Sequence, residues 1–375
     1  MLSQRRLVIV GGGIIGTMHA YFGLKAGYEV VQVDRDPEAL SASVRNFGLI
    51  WVSGRAEGKE LALALRAREL WEEVGLATDI GFRGNGSLTI ARNDSEFSVL
   101  QEAAAMEDAD ARGFEILHRN EVRELEPILQ GDFVGGLRCT QDAAVEPQML
   151  FKGLREFLLK KSHYSWVPNF DVVKFRTSES GHHIENSQSE EISGDRIIFA
   201  PGTAHFGFLS EYTTKAPLRR VFLQMGATVP IDDSLGHSLA DADSLRYYPA
   251  FKNLSLDRLP LQSKIAQEHK MQLLLAPRLD GSFTIGDTHL YDEPFSHEII
   301  EEPYQHLLSV INSIFGREFS IGKRWSGIYS QSTSTTEIYY RDEIAPGATI
   351  VTGVGGRGNT ISPAVAEETF QSWEE

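Results

Sequence analysis

The sequence contains very little cysteine, no long apolar run and a deficit of positive charge. Cys139 is its only cysteine, which excludes a disulfide framework and a thiolate metal cluster. No stretch reaches the about 20 consecutive apolar residues that span a bilayer. The net charge is −16, from 36 basic and 52 acidic residues. Because such a surface repels phosphate backbones, we expect no nucleic-acid partner.

The rest of the composition is that of an ordinary globular protein. Of the 375 residues, 42% are hydrophobic and 23% are charged, so we expect two domains with a substantial core. Arg5 and Arg6 precede an apolar run, as in a signal peptide, but Leu7–Val10 is too short and leads directly into glycines. We interpret it as a buried first strand. A single cysteine fits a reducing compartment, so the expected location is the cytoplasm.

Hydrophobic periodicity predicts an interleaved fold. Parallel-strand signals lie at the start, middle and end of the chain, and antiparallel signals lie between them. The fold class is therefore α/β with α+β: a Rossmann-like nucleotide-binding domain interleaved with an antiparallel-sheet substrate domain. Among the elements, the pattern predicts one helix over 95–112 and a hairpin of strands over 166–175 and 183–185, with its turn at Ser178–Gly181.

A glycine motif follows the first predicted strand. Gly11, Gly13 and Gly16 form G-x-G-x-x-G between a strand and a helix, which permits a tight turn, close approach to a pyrophosphate and close helix packing. Asp34 ends the next strand, where it can accept hydrogen bonds from a ribose. The motif predicts nucleotide binding but does not separate FAD from NAD. The carboxylate of Asp34 would repel the 2′-phosphate of NADP, which argues against NADP as the cofactor.

A second strand, glycine loop and helix lie near the C-terminus, at 351–360. Free N–H groups at the start of that helix would stabilise the negative charge of a reduced flavin. The alternative is a helix cap with no ligand. Together with the first glycine motif, this loop favours FAD.

Three motifs together resemble the D-amino-acid oxidase family, and its glycine oxidase and sarcosine oxidase branch in particular. They are G-G-G-I-I-G at 11–16, I-F-A-P-G-T at 198–203 and T-G-x-G-G-x-G at 352–358. The resemblance covers essentially the whole chain. It implies FAD in an extended form, bound by a domain of residues 1–80, 144–215 and 328–375, with residues 81–143 and 216–327 forming the substrate-binding domain.

Three further segments are similar to a bacterial subgroup of that family associated with phosphonate metabolism and proposed to oxidise aminoalkylphosphonates. They are S-V-R-N-F-G at 43–48, G-D-T-H at 286–289 and R-W-S-G-I-Y at 324–329. The similarity implies an amine substrate that carries a phosphonate or, as in glycine oxidase, a carboxylate.

The resemblance also implies which residues bind FAD. The pyrophosphate meets the first glycine turn, the adenosine meets the end of the second strand and a valine, and the flavin meets the two loops at 43–46 and 355–360. The residues so implied are Gly11, Gly13, Ile14, Ile15, Gly16, Asp34, Arg35, Ser43, Arg45, Asn46, Val172, Gly202, Gly355, Gly356, Gly358, Asn359 and Thr360.

Two positions depart from the sarcosine oxidase pattern. Ile328 lies near the position of the cysteine that tethers the flavin there, so we expect non-covalent FAD. Thr284 lies near the position of an oxygen-activating lysine. Because this chain lacks that lysine, the sequence leaves the rate of its reaction with oxygen open.

A substrate anion needs a cation beside the flavin. Arg45 and Arg246 are the leading candidates, His289 is a donor that can switch its charge, and Tyr329 is a candidate wall residue of the catalytic pocket. Arg324 and Arg357 are also possible cations. The histidines show no metal-ligand spacing, so we expect no metal.

The predicted activity is oxidation of a small anionic amine by FAD. Family chemistry transfers hydride from the carbon next to nitrogen to the flavin, the imine hydrolyses to an aldehyde or keto acid, and molecular oxygen becomes hydrogen peroxide. Three alternatives remain: a dehydrogenase of a D-amino acid or secondary amine that passes electrons to a quinone or protein, a non-catalytic flavoprotein, and an NAD-dependent dehydrogenase. A homo-oligomer is possible.

Overall fold

Most strands of the protein belong to two large sheets. The computed structural model describes residues 5–373. The strands are β1 (Arg6–Val10), β2 (Glu29–Val33), β3 (Leu49–Ile50), β4 (Ser87–Ala91), β5 (Phe114–His118), β6 (Gly135–Cys139), β7 (Ala143–Ala144), β8 (Tyr164–Val167), β9 (Val172–Ser178), β10 (Gly181–Asn186), β11 (Glu191–Gly194), β12 (Arg196–Phe199), β13 (Leu218–Thr228), β14 (Ser238–Asp241), β15 (Leu274–Pro277), β16 (Phe283–Gly286), β17 (Ile321–Ser332), β18 (Tyr340–Ala345) and β19 (Ala348–Thr352).

Helices pack against both large sheets. They are α1 (Ile14–Lys25), α2 (Lys59–Ala77), α3 (Asp94–Ala104), α4 (Ala109–Arg112), α5 (Arg119–Leu125), α6 (Pro147–Leu159), α7 (Ser210–Thr213), α8 (Lys264–Glu268), α9 (Glu302–Phe315) and α10 (Gly358–Gln371). Within residues 5–373, none of these helices combines the length and apolar character that crossing a membrane requires.

The first large sheet has six strands in the order β18-β19-β12-β1-β2-β8, and only β18 pairs antiparallel. Because side chains alternate along a strand, Leu7 and Ile9 of β1 pack under α1, α2 and α10, whereas Val8 faces the small sheet β11-β10-β9. Both faces are thus buried, as in a doubly wound fold. The predicted Rossmann-like domain is confirmed.

The second large sheet has eight strands in the order β17-β13-β16-β15-β14-β4-β6-β5. All pairs are antiparallel except β14 with β4. Helix α9 packs on one face, where Ile311 and Phe315 meet Phe283 and Ile285. The opposite face carries Leu223 and a second apolar cluster toward the first sheet. The two sheets therefore face each other across a gap.

The two sheets draw their strands from alternating parts of the chain. The six-stranded sheet uses residues within 6–33, 164–199 and 340–352, and the eight-stranded sheet uses residues within 87–139 and 218–332. Strand β17 runs across the domain boundary that the sequence places at 328.

Two predicted elements were wrong. The helix expected over 95–112 is two helices, α3 and α4, because the short α4 turns Arg112 inward, where its guanidinium donates to the carbonyl of Ser53 at 2.9 Å. The strand expected over 166–175 is also divided. Its first part, β8, extends the six-stranded sheet, and only β9 forms the hairpin with β10.

A buried acid in the eight-stranded sheet should make stability depend on pH. Asp241 is buried, accepts from the amide of Ser244 at 3.1 Å, and lies 4.0 Å from Arg92. Burial raises its pKa from 3.8 to about 6. Between these values the folded protein holds a proton that the unfolded chain has lost, so stability falls as pH rises through this window.

We therefore expect Asp241→Asn to raise the free energy of unfolding by about 2–3 kcal/mol at pH 8, and by less than about 1 kcal/mol at pH 4. The amide keeps an oxygen for the Ser244 N–H. Urea unfolding at the two pH values measures the change. An equal change at both would show that the ionised carboxylate is not the destabilising group.

Candidate active site

An elongated cavity of about 950 Å³ lies between the two large sheets. Its walls include Gly11 and Ala200 at the carboxyl ends of β1 and β12, and Leu223 and Met225 on the facing strand β13. Ligands of open α/β sheets bind at this end of the parallel strands. The volume is at the upper end of the range for small-molecule sites, about 300–1,000 Å³.

The first glycine turn forms one wall of the cavity. Gly11 has a φ of +128°, and a Cβ there would lie 2.4 Å from the carbonyl oxygen of Ala200. A Cβ at Gly16 would lie 2.0 Å from the carbonyl oxygen of Gly11. Gly11, Gly13, Ile14 and Ile15 line the cavity, while Gly16 lets α1 pack against the turn. The amino end of α1 therefore points at the cavity, as an anion site requires.

Asp34 marks one end of the cavity. Its carboxylate accepts a hydrogen bond from the Gly12 amide and another from the Asp36 amide at 2.8 Å. Arg35 and Val172 line the same end. This is the arrangement that the sequence predicts for an adenosine.

Replacing Asp34 by alanine should weaken FAD binding by about 1–3 kcal/mol, or roughly 5- to 150-fold in Kd, because a charged hydrogen-bond acceptor is lost. Titrating FAD into apoprotein by calorimetry measures the effect. Asp34→Asn, which keeps one acceptor oxygen, should lose less. Unchanged affinity in the alanine variant would mean that other groups hold the ribose.

The loop at 41–48 is tied to the second glycine loop by Asn46. The Asn46 amide nitrogen donates to the carbonyl of Ser43 at 2.7 Å, and its oxygen accepts from the Asn359 side chain at 2.8 Å. Ser43 also accepts from the amide of Ile14 at 3.1 Å. Ser43, Arg45, Asn46 and Asn359 all line the cavity. The structure thus brings together three segments that are far apart in the sequence.

The second glycine loop closes the other end of the cavity. Gly355 has a φ of +62° and begins a short 3₁₀ turn that continues into α10 at Gly358. Thr360 accepts from the amide of Trp51 at 2.9 Å, and the carbonyl of Gly202 accepts from Thr352 at 2.7 Å. The predicted residues that line this end are Gly202, Gly355, Gly356, Gly358, Asn359 and Thr360.

The cavity fits an extended FAD. Side chains at Gly11 and Gly16 would collide with backbone, so the turn requires glycine there, and it presents the amino end of α1 to the cavity, where a pyrophosphate can bind. Four cavity-lining side chains also carry buried polar atoms without a hydrogen-bond partner among the described residues: Trp51 Nε1, Gln272 Oε1, Tyr329 Oη and Asn359 Oδ1. Buried polar atoms are normally paired, so these atoms indicate a polar ligand at this end.

No cysteine of the chain is placed to tether a flavin. Ile328 lines the cavity, whereas Cys139 is buried in β6, where its thiol donates to the carbonyl of Arg112 at 3.1 Å and burial raises its pKa well above the usual range. We expect acid precipitation to release all of the FAD into the supernatant, measured by its absorbance. Flavin that stays with the pellet after washing would contradict this.

Arg45 and Arg246 lie in the cavity wall but are largely engaged with protein groups. Arg45 is exposed, and its guanidinium donates to the carbonyls of Leu40 and Ser326, both at 3.0 Å. Arg246 donates to the carboxylate of Asp243 at 2.8 Å and to the carbonyl of Pro260 at 2.9 Å. Counting partners within residues 5–373, one terminal nitrogen of each remains for a ligand. Arg324 pairs with Glu301 and is not among the lining residues.

His289 and Tyr329 are both buried against the cavity. The His289 ring stacks on Tyr247 with ring centroids 4.5 Å apart, and its Nδ1 donates to the carbonyl of Lys270 at 2.9 Å. Because a carbonyl only accepts, Nδ1 carries the proton, and Nε2 faces the carboxylate of Asp287 at 3.6 Å. Burial raises the pKa of Tyr329 well above its usual value.

Asp287 and Arg55 are cavity-lining groups that sequence reasoning missed. The carboxylate of Asp287 accepts from the Gln272 side chain at 3.0 Å, and burial raises its pKa. Arg55 is buried against the ring of Tyr248, 5.8 Å from its centroid. The sequence placed Asp287 inside a family-like segment, which was a usable signal. For Arg55 it offered none, because its partners are contributed by the fold.

No metal centre is evident in the described part of the chain. Among residues 5–373, no three or more histidine, cysteine, aspartate or glutamate side chains form a group that could hold a metal ion. The polar groups of the cavity suit an organic cofactor and a charged organic ligand.

The fold and the cavity define a flavin-dependent oxidoreductase. The sequence profile of the DAO family, described as FAD dependent oxidoreductases, matches residues 6–372. The chain belongs to this family. The predicted FAD cofactor is confirmed, and so is the prediction that the protein is an FAD-dependent oxidoreductase.

Individual relatives are distant. The chain is 27% identical to one component of the opine oxidase of Rhizobium meliloti over 210 residues, which is 52% of this chain and 56% of that protein. It is 22% identical to D-amino acid dehydrogenase of Helicobacter pylori over 276 residues, 60% of this chain and 64% of that protein. Each of these two matches thus spans less than two thirds of the relative. Glycine oxidase from Bacillus cereus ATCC 14579 superimposes with a TM-score of 0.79 at 19% identity, over 99% of this chain and 95% of that one, which shows a shared fold.

Proposed function

We propose that the protein is an FAD-dependent oxidase of a small amine that carries an anionic group. The observation that carries this proposal is the composition of the cavity beyond the predicted flavin loops. It holds arginine guanidinium groups, a carboxylate and aromatic walls in one buried space. A zwitterionic amine needs such a pair of opposite charges, because burying either of its charges alone is costly.

The amine end of the substrate belongs at Asp287 and His289. The carboxylate of Asp287 attracts an ammonium group, and Tyr247 and Tyr291 are close enough to interact with its charge. Burial raises the pKa of both tyrosines, and the charge of Asp287 adds to the rise. His289 Nε2, which carries the lone pair in the neutral ring, is available to take the ammonium proton. A neutral amine is the form that loses hydride.

The anionic end belongs at the arginines. Arg45 and Arg246 are the candidates that the sequence gives, each with one terminal nitrogen remaining for a ligand when partners within residues 5–373 are counted. Tyr329 contributes a buried hydroxyl to the same space. Because guanidinium pairs with either carboxylate or phosphonate, the two substrate classes are separated by experiment below.

FAD, when bound, supplies the two-electron acceptor for the hydride of the carbon next to nitrogen. The chain contributes binding, orientation and exclusion of water, which lower the barrier without a covalent intermediate. For a primary amine the balanced reaction is R–CH₂–NH₂ + O₂ + H₂O → R–CHO + NH₃ + H₂O₂. The imine forms first and takes up water to give the aldehyde or keto acid.

A dehydrogenase is the second candidate function. The similarity to D-amino acid dehydrogenase of Helicobacter pylori favours it, as does Thr284 at the predicted position of an oxygen-activating lysine. Thr284 accepts a hydrogen bond from Arg278 at 2.7 Å, so the position is occupied by a neutral side chain with a cation behind it. The electron acceptor would then be a quinone or a protein in place of oxygen.

The deciding experiment is anaerobic reduction of the holoenzyme by a panel of amines. The panel contains glycine, sarcosine, D-alanine, iminodiacetate, 2-aminoethylphosphonate and its N-methyl form, with propionate and ethylphosphonate as controls without nitrogen. We expect an anionic amine to bleach the flavin absorbance in a single turnover. Reduction by carboxylates alone or by phosphonates alone assigns the substrate class. No reduction by any member would favour a non-catalytic flavoprotein.

The reduced enzyme is then mixed with oxygen or with a soluble quinone. Faster reoxidation by oxygen, with one hydrogen peroxide per flavin, supports the oxidase. Reoxidation by the quinone with little peroxide supports the dehydrogenase.

A further inference from the structure

Two arginines in the cavity wall share one buried carboxylate. Glu60 lies at the first turn of α2, and its Oε1 accepts from Arg357 Nε at 2.6 Å and lies 3.5 Å from Arg55 Nη1. The side chains of Glu60 and Arg55 are 4% and 6% exposed, and that of Arg357 is 20% exposed. These three residues, called the Arg55–Glu60–Arg357 cluster below, join the start of α2 to the second glycine loop.

The two cations and the acid of this cluster have different access to the cavity. Arg55 and Arg357 are among its lining residues, whereas Glu60 lies behind them. Glu60 thus orients both guanidinium groups. Although burial pulls its pKa upward, Arg55 and Arg357 together hold the pKa of Glu60 below its usual value. Glu60 is therefore ionised at neutral pH.

The cluster leaves a formal charge of +1 toward the cavity, from two guanidinium groups and one carboxylate. The Arg55 guanidinium uses Nε for the carbonyl of Trp51 at 2.7 Å, and Arg357 uses Nε for Glu60. Counting partners within residues 5–373, Arg55 Nη2 and both terminal nitrogens of Arg357 are left for a ligand. A buried net cation is costly without an anion beside it, and bidentate donation to a carboxylate or phosphonate would supply one.

Arg45 and Arg246 are the competing assignment. Arg45 is an exposed residue, and Arg246 already pairs with a carboxylate of its own, Asp243. The Arg55–Glu60–Arg357 cluster is more buried than either, and it carries an excess cation. Burial raises the pKa of Tyr247 and of Tyr248; the charge of Asp287 raises both further, whereas Arg357 lowers that of Tyr247 and Arg55 that of Tyr248. Each of these two tyrosines is thus near both a positive and a negative group.

We infer that Arg55 and Arg357, held by Glu60, bind the anionic group of the substrate. The inference rests on the proposed function, and it assigns the subsite to Arg357, which the sequence pattern includes as a possible cation, together with Arg55 and Glu60, which the sequence pattern did not select. The substrate would lie with its anion toward α2 and the second glycine loop and its amine toward Asp287. Glu60 is a positioning residue, because it reaches the ligand only through the arginines.

The test measures anion binding to the oxidised holoenzyme, with acetate and methylphosphonate as probes and calorimetry as the readout. Arg55→Met and Arg357→Met should each weaken both probes at least about tenfold, with FAD content unchanged. Arg258→Met, which removes an exposed arginine outside the cavity, should change nothing. Wild-type probe affinity in both cavity variants, with a loss in Arg45→Met or Arg246→Met, would overturn the inference.

Glu60→Gln separates positioning from a purely structural role. The substitution raises the formal charge facing the cavity from +1 to +2. At pH 9 methylphosphonate is a dianion and acetate a monoanion, so the affinity for methylphosphonate relative to that for acetate should rise at least about threefold. A merely structural role would weaken both probes in proportion. An unchanged ratio would mean that Glu60 does not set the charge of the subsite.

A second measurement covers the case in which an arginine variant does not fold. Wild-type holoenzyme is treated with phenylglyoxal, which modifies arginine, with and without methylphosphonate, and the peptides are mapped. Protection of Arg55 and Arg357 supports the subsite, and protection of Arg45 or Arg246 alone overturns it. Neither probe is oxidised, so anion binding is measured separately from the reaction. If the holoenzyme binds both probes at the cluster but is reduced by no amine, the proposed activity is contradicted and the anion subsite is still supported.

Discussion

Replacing Gly16 by alanine should abolish stable FAD binding. The new Cβ would lie 2.0 Å from the carbonyl oxygen of Gly11 and 2.9 Å from its carbonyl carbon. Both atoms are backbone, so no side chain can move aside, and α1 must shift away from the turn. The amide groups at the start of α1 then no longer converge on the pyrophosphate position. We expect a loss of about 3 kcal/mol or more, over 100-fold in Kd.

The measurement is an FAD titration of apoprotein, with the thermal midpoint of the apoprotein as a check on folding. Gly23→Ala is the matched control, because it lies in the same helix and its Cβ would meet a flexible atom, Leu7 Cδ2, at 2.8 Å. The control should keep FAD affinity within a few-fold of wild type. FAD binding by Gly16→Ala at wild-type affinity would show that close packing of α1 is not needed.

The cofactor half of the cavity was readable from the sequence because its determinants are local. Gly11, Gly13 and Gly16 act through backbone conformation and contacts within a few residues or one neighbouring strand, and Asp34 ends the strand that pairs with β1. Such features leave a fixed spacing in the chain. The structure places Gly11, Gly13 and Asp34 in the cavity wall where the spacing predicts a nucleotide, whereas Gly16 lies in α1 and does not line the cavity.

The substrate half was not readable in the same way, because its charges are paired by tertiary structure. Glu60 meets Arg357 across 297 positions of the sequence. Arg246 is a different case: it stands out in the sequence beside two tyrosines, and its partner Asp243 lies only three residues away on the same 3₁₀ turn, so this pairing was visible in the sequence and was missed. Charge at a site is a sum over neighbours, and sequence reasoning sees only those that lie close along the chain.

The assignment of strands to the two sheets was likewise only partly predictable from the sequence. The continuous apolar run Leu7–Val10 predicts β1 within a residue, because a buried parallel strand is apolar on both faces. Which sheet a short strand joins depends on the strand edges that the rest of the fold leaves free. β8 was expected to continue into the hairpin, but Val30 and Val33 of β2 provide a free edge at which Tyr164 and Val167 pair.

The second large effect should come from Trp71, which joins the core to the flavin loop. Trp71 is fully buried under the six-stranded sheet, and its indole Nε1 donates to the carbonyl of Asn359 at 2.7 Å, at the start of α10. Trp71→Ala should lower the free energy of unfolding by about 3–5 kcal/mol through the cavity it leaves. Trp71→Phe keeps most of the volume and loses the hydrogen bond, which should cost about 1–2 kcal/mol.

Urea unfolding of the apoprotein measures both variants, and an FAD titration follows. The lost hydrogen bond fixes the backbone beside the predicted flavin site, so Trp71→Phe should also weaken FAD binding. The control is Leu150→Val, a volume change in the same core cluster away from the cavity. It should lower stability and leave FAD affinity unchanged. Equal FAD affinity in the two variants would show that the Asn359 carbonyl is held in place without the indole.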